Sequence, residues 1–257
     1  MQNIIRLSQS HLNLLSICPP KFQQIYLNCL GTVPDLQQQE SMKWGSQFHL
    51  LMQQRELTLP IESLLSGDPE LESAFKALIK NAAELEENST DVWRAAEHCR
   101  TFAHNNFVFT VIYDLAIAKP NRAIILDWKT YRQPQKSTNL AFNWQTRLYL
   151  YVLAETSEYA PEEIEMTYWF VKSGKPTSVT FPYSQLQHQK TEQDLLDLLK
   201  NLETWLQNYR EHQIDFPHLP DCEGKCPYYQ FFSPEESAII EPQEWLTSIE
   251  QVEEISI

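Results

Sequence analysis

Two aspartates and a lysine, Asp114, Asp127 and Lys129, have the types and the spacing for chemistry around a metal ion. They lie in residues 107–130, FVFTVIYDLAIAKPNRAIILDWKT, where two runs rich in β-branched and aromatic residues flank Lys119-Pro120-Asn121-Arg122. That pattern predicts a β-hairpin. With Pro120 and Asn121 as the loop, Lys119 faces Arg122, and counting back along both strands brings Asp114 opposite Asp127. Alternation then puts Asp127 and Lys129 on one face and leaves Ile124, Leu126 and Trp128 for the core. Like charges directly across a strand pair repel, and a divalent cation removes the conflict. Oxygen donors at this density suit a hard ion such as Mg2+ or Mn2+, which takes phosphate oxygens as further ligands. Lys129 beside such an ion could stabilise charge developing on a phosphate, or orient an attacking water. An Asp-x-Lys triplet alone reads equally well as ordinary surface charge, so the hairpin register decides between the two readings.

The elements that must hold these residues follow from periodicity. Residues 5–30 read as a helix or a pair of short helices, with Ser8 or Ser10 at the start and Cys18-Pro19-Pro20 as an interruption. Residues 31–40 look polar and turn-like. A helix over 41–57 carries the apolar stripe Trp44, Phe48, Leu51 and Met52, with His49 beside it. Helical spacing recurs over 61–87, broken at Gly67-Asp68-Pro69. Three antiparallel strands are expected at 92–102, 107–118 and 122–130, with Glu97 in the middle of the first. A helix over 140–156 projects Gln145 and Tyr149 from one face. Strands at 166–171 and 177–181 and a long helix over 184–212 complete the pattern. The expected division is a helical region over 1–90, a core over 91–232 and an acidic segment over 233–257.

Composition narrows the classes. A chain of 257 residues with 12% aromatic side chains has ample apolar material for one large domain or a domain with a helical cap. No apolar run is long enough to span a bilayer, and the N-terminus lacks a basic region followed by an apolar one, so the expectation is a cytoplasmic protein without membrane contact. Five cysteines at scattered positions argue against a secreted disulfide framework. The net charge of −14 opposes tight, non-specific binding to nucleic acid. Half of that imbalance sits in residues 234–257, which hold seven acids and no base. Carboxylates of a metal site, counted without their ion, explain a little more.

Taken in order, Ser8-x-Ser10 before Leu12, Cys18-Pro19 with Phe22 and Tyr26, Gly45-x-x-x-His49, Asp114, Asp127-Trp128-Lys129-Thr130, Gln145-x-x-x-Tyr149 and a closing Cys222/Cys226 loop form one series. The series resembles the RecB-like branch of the PD-(D/E)XK nuclease superfamily, which includes nuclease domains of recombination helicase-nucleases and a group of CRISPR-associated exonucleases. No single motif is specific; order and spacing carry the likeness. The resemblance implies an α/β (α+β) fold, with a mixed central β-sheet flanked by helices, a restriction-endonuclease-like core and an N-terminal helical region. It implies a divalent-metal site, Mg2+ or Mn2+, cutting phosphodiester bonds in DNA during repair or recombination, with a helicase or other repair protein as partner. His49, Asp114 and Asp127 would be metal ligands, with the main-chain carbonyl of Trp128 as a further one. Lys129 would be the paired catalytic lysine, Gln145 would belong to the active site, and Tyr149 would contact DNA. Glu97 precedes the second motif where relatives often carry an acid, and stays outside this ligand set.

Two departures bear on the reading. Relatives usually carry glycine where this chain has Val111, which would keep the backbone further from the site. This leaves open a second reading, a catalytically weakened nuclease-like fold that binds DNA or protein. Many relatives also hold a four-iron cluster on one N-terminal and three C-terminal cysteines. Cys18, Cys222 and Cys226 match three of these positions, but the last would fall near Phe232, and Cys29 is poorly placed to substitute. Reduced thiols, or a remnant site that packs the termini, are therefore expected in preference to an iron–sulfur cluster. Zinc on Cys18, Cys222, Cys226 and a donor such as His218 is a lesser alternative.

Overall fold

The structure is a computed structural model that describes residues 4–31, 33–85, 91–131, 137–172 and 175–220. Its strands are β1 (Ile5–Leu7), β2 (Trp93–His104), β3 (Phe107–Lys119), β4 (Arg122–Lys129), β5 (Ile164–Phe170) and β6 (Thr177–Pro182). Its helices are α1 (Gln9–Ile17), α2 (Pro19–Phe22), α3 (Leu36–Glu56), α4 (Glu62–Leu65), α5 (Pro69–Asn81), α6 (Ser137–Phe142), α7 (Trp144–Glu155) and α8 (Gln185–His212). Contacts group the chain into two compact units, one within Met1–Ser8 and Val33–Glu192, the other within Gln9–Thr32 and Gln193–Ile257.

The first unit holds a mixed six-stranded sheet in the order β1-β3-β4-β5-β6, with β2 paired to β3. This is the mixed, helix-flanked sheet that the sequence predicts. On one side, Trp44, Phe48, Leu51 and Met52 of α3 and Leu71, Ala74 and Leu78 of α5 pack on Leu115, Ile117, Ile124, Leu126 and Trp128. Phe48 and Leu51 are fully buried, and each such side chain contributes on the order of 1.5–3 kcal/mol. The helix that carries His49 is therefore held by its neighbours. On the other side lies α7, whose Tyr149 carbonyl accepts a 3.0 Å bond from the Tyr113 hydroxyl.

Several expectations change. Residues 5–7 form a strand, not the start of a helix, pairing in parallel with Phe107–Phe109 and burying Leu7. A three-residue strand is too short for a period to be read from it. Helix α3 starts at Leu36, within the stretch read as a turn, because Asp35 and Gln38 form a reciprocal capping box with bonds of 2.7 and 2.9 Å. The β3–β4 register is the expected one, Lys119 facing Arg122, but the ladder ends at Leu115–Leu126. Asp114 and Asp127 thus do not meet as a ladder pair. The strands part there, and the Asp114 side chain takes the Trp128 N–H at 2.6 Å while β4 continues along β5 to Lys129–Phe170.

A second irregularity sits across the same point. The β2–β3 ladder skips the pair Glu97–Asp114, and Glu97 has φ +49°. On the His104 side of this break, Phe102 and Tyr113 face α7, through the ring of Tyr151 and the carbonyl of Tyr149. On the Trp93 side, Arg94 reaches Glu56 of α3 and Leu115 joins the α3–α5 cluster. Side chains of one parity therefore change sides of the sheet at Glu97 and Asp114. A non-glycine residue in the left-handed region costs on the order of 1–3 kcal/mol and persists where its surroundings hold it.

In the second unit, Cys18 precedes α2, with Pro19 at the first helical position. Buried Gln23 donates to Asp215 Oδ1 and accepts from the Phe216 amide, both at 2.6 Å, and Phe216 packs among Phe22, Trp205 and Tyr209. Among the described residues, no helix is long and apolar enough to cross a membrane.

Candidate metal centre

The interruption at Glu97 and Asp114 is where side chains from α3, β2, β3, β4 and α7 converge. Gly45 sets the approach of α3: a Cβ there would lie 3.1 Å from Thr130 Oγ1, at the end of β4. One turn further on, His49 Nδ1 lies 3.2 Å from Asp114 Oδ1 and 3.9 Å from Glu97 Oε1. One donor atom each from His49, Glu97 and Asp114 fall within 4.8 Å of one another. Burial lowers the affinity of His49 for its proton, but the charge and hydrogen bond of Asp114, with Glu97 and Asp127, outweigh this and push its pKa up to about 10. The proton held on His49 offsets the negative charge of the two carboxylates beside it.

A second group interlocks with the first. Asp127 Oδ1 accepts from Gln145 Nε2 at 2.6 Å, and Lys129 Nζ donates to Gln145 Oε1 at 2.7 Å. Lys129 Nζ also lies 2.8 Å from Asp127 Oδ2 as an ion pair, although no donor among the described residues is lined up for a hydrogen bond to that buried oxygen. Asn143 caps α7 by accepting from the Gln145 amide at 2.8 Å, which fixes Gln145 in the first turn. Burial pushes the Asp127 carboxyl up to about 6, against the pull of Lys129, and Asp114 adds to the rise. Burial lowers the affinity of Lys129 for its proton, but the neighbouring Asp127, Tyr131 and Asp114 together outweigh this, so Lys129 stays a cation. Its ammonium also stands 4.9 Å from the centre of the Tyr168 ring.

The structure thus brings His49, Asp114, Asp127, Lys129 and Gln145 into one place. Trp128 gives its amide to Asp114 and its ring to the core. Tyr149 is 4% exposed, its ring 5.3 Å from that of Tyr113, inside the layer beneath α7. Val111 is also buried, so its side chain does not stand open over the carboxylates. Cys18 is buried and Cys29 exposed with φ +58°, whereas Cys222 and Cys226 lie outside the described residues. Sequence reasoning left out Glu97, although a signal existed. Folding the chain back at Asn105-Asn106 so that His104 faces Phe107 sets Glu97 opposite Asp114 by simple counting.

Mixed carboxylate and imidazole donors, with a buried carboxylate oxygen lacking a hydrogen bond, fit a divalent cation of the Mg2+ or Mn2+ type. No characterised protein sequence matches the chain significantly. Its fold aligns with the crystal structure of a candidate exonuclease from Eubacterium rectale at TM-score 0.54 and 11% identity, over 86% of this chain and 88% of that one. At that identity the likeness speaks for the fold alone. An alignment with the structure of SSO0001, at TM-score 0.34 and 11% identity over 78% of each chain, is too loose to argue from. A sequence profile of the PD-(D/E)XK nuclease superfamily matches residues 6–231. Because that match runs through nearly all of the chain and spans every element that builds the centre, the protein belongs to the PD-(D/E)XK nuclease superfamily.

Proposed function

We propose that the protein is a divalent-metal-dependent DNA nuclease acting in repair or recombination in the cytoplasm, alongside a helicase or other repair protein. One observation carries the reading: the Asp127–Lys129–Gln145 triangle lies beside the His49–Glu97–Asp114 cluster. His49, Glu97, Asp114 and Asp127 would hold the ion, with the Trp128 carbonyl as a further donor. A divalent cation there would supply Lewis acidity toward the phosphate and the attacking water. Lys129 would offset charge growing on the phosphate, and Gln145 keeps its ammonium and the Asp127 carboxylate aligned.

The test is incubation with single- and double-stranded DNA in Mg2+ or Mn2+. Cleavage that chelator abolishes and Lys129→Ala lowers by about 100-fold or more supports the reading. Cleavage unchanged in Lys129→Ala defeats it. DNA binding without cleavage, indifferent to chelator, would mark a nuclease-like binding module instead.

A further inference from the structure

A second lysine stands just past the end of the strand pair that carries Lys129. The β4–β5 ladder closes at Lys129–Phe170, and the Val171 amide donates to the Lys129 carbonyl at 3.0 Å. Alternation along β5 sends Tyr168 toward α7, where its hydroxyl lies 2.7 Å from Thr146 Oγ1, and sends Trp169 and Val171 into the α3–α5 cluster. Lys172, continued in that series, would face α7. The chain bends there instead, and the Lys172 ammonium stands 4.1 Å from the centre of the Trp44 ring on α3. Trp44 is 8% exposed, its ring stacks on that of Phe48 with centroids 5.6 Å apart, and the next residue is Gly45, whose approach to Thr130 sets the place of α3. An indole attracts an ammonium without neutralising it, so the charge and the N–H donors stay available to an anion. Among the described residues Lys172 makes no ion pair or hydrogen bond, although acids outnumber lysines and arginines 34 to 20 in the chain. Lys129, by contrast, is engaged by Asp127 and Gln145.

We propose that Lys172, held on the Trp44 ring, is a substrate-binding residue that takes a backbone phosphate flanking the scissile one, on the α3 side of the metal centre. Trp44 precedes His49 by five residues of α3, about 7.5 Å along the helix axis. That length spans about two nucleotides of one strand at a rise of about 3.4 Å each. A strand with one phosphate at the carboxylates and its path along α3 therefore brings a neighbouring phosphate to Lys172. The carboxylates of the centre repel such neighbours, and a cation just outside them offsets that repulsion. The inference rests on the reading of the protein as a DNA nuclease, but what it asserts is a binding contact, which can be measured without cleavage.

Two variants of the full-length protein separate charge from packing. Lys172→Met keeps an unbranched side chain on Trp44 and removes the charge, whereas Lys172→Arg keeps both the charge and the ring contact. The first measurement is the fluorescence anisotropy of a labelled oligonucleotide, single-stranded and duplex, titrated with protein in Ca2+ over a range of salt. Lys172→Met should weaken binding about 5-fold at low salt and make the slope of log affinity against log salt shallower by about 0.9 on duplex or about 0.7 on single strand, and Lys172→Arg should follow wild type. The second is steady-state cleavage, where Lys172→Met should raise KM about 5-fold and leave kcat within about 2-fold of wild type. Equal salt slopes for wild type and Lys172→Met overturn the proposal, and so does an arginine variant that binds no better than the methionine one. A fall in kcat or in metal affinity without a change in KM overturns it too, because the lysine would then only prop α3. If wild type binds DNA but does not cleave it, the nuclease reading fails and the salt slope still decides the role of Lys172. If wild type binds neither form of DNA, both fail.

Discussion

At the scale of single residues, the site is a set of charges that tolerate one another only in company. Lys129 and Asp127 are both buried, and removing one member of such a pair leaves the other uncompensated, at a cost of about 3–5 kcal/mol. Lys129→Met should therefore abolish cleavage and destabilise the metal-free protein by about 3 kcal/mol at pH 7.5, and by less near pH 5, where Asp127 takes up a proton. The double variant Lys129→Met/Asp127→Asn should recover most of that stability and none of the activity, as urea unfolding and a cleavage assay would show. His49 gives a pH signature of its own. Its pKa rises from near 6.5 in the unfolded chain to about 10, so its contribution to stability is present in full below pH 6.5 and is lost as the pH climbs through 10. On the proposed reading, a divalent ion bound through His49 would displace that proton. Calorimetry in buffers of different ionisation heat should detect about one proton released per metal bound at pH 7.5, and none in His49→Ala.

At the scale of elements, position depends on close approaches. Gly45 lets α3 pass over Thr130, and His49 inherits its place from that contact. Gly45→Ala adds about 1 kcal/mol of helix propensity, so the fold should not weaken much. The new methyl group would stand 3.1 Å from Thr130 Oγ1, however, and must push the helix or rotate the threonine. The expected outcome is a metal affinity lowered about 10-fold by titration calorimetry, with the melting temperature of the metal-free protein nearly unchanged. Thr130→Ala in the same chain removes Oγ1 and leaves only Cβ, at 3.9 Å, so the double variant should bind metal as wild type does. Failure of that rescue would separate His49 placement from this contact. The break at Glu97 works on the same scale, because it interrupts the β2–β3 ladder at Asp114, whose side chain meets His49 of α3 and the Trp128 amide of β4.

At the scale of the whole molecule, a net charge of −14 limits how a nucleic acid could be held. Each phosphate neutralised by a lysine or arginine adds about −0.9 to the slope of log affinity against log salt on duplex DNA. With Lys129 as the described cation at the carboxylates, and metal carrying most of the attraction, kcat/KM at fixed metal should fall with salt at a slope shallower than about −3. A slope near −6 would require a basic track elsewhere on the protein. Substrate should bind weakly in chelator and more tightly in Ca2+, an ion that provides charge and oxygen coordination.

Much of this was legible in the order of residues. The Pro120-Asn121 loop set the β3–β4 register, alternation put Asp127 and Lys129 together, and helical spacing paired Gln145 with Tyr149 and set His49 beside the α3 stripe. These are local rules, and neighbours in sequence obey them wherever the chain goes. What tertiary structure decided was where the rules are broken. The strands part at Asp114 because its side chain replaces a ladder bond to the Trp128 amide. Glu97 joins the cluster because one left-handed residue reverses the sides of the sheet. Each of these depends on a contact between segments far apart in sequence, and the composition of one segment does not say which other segment will hold it.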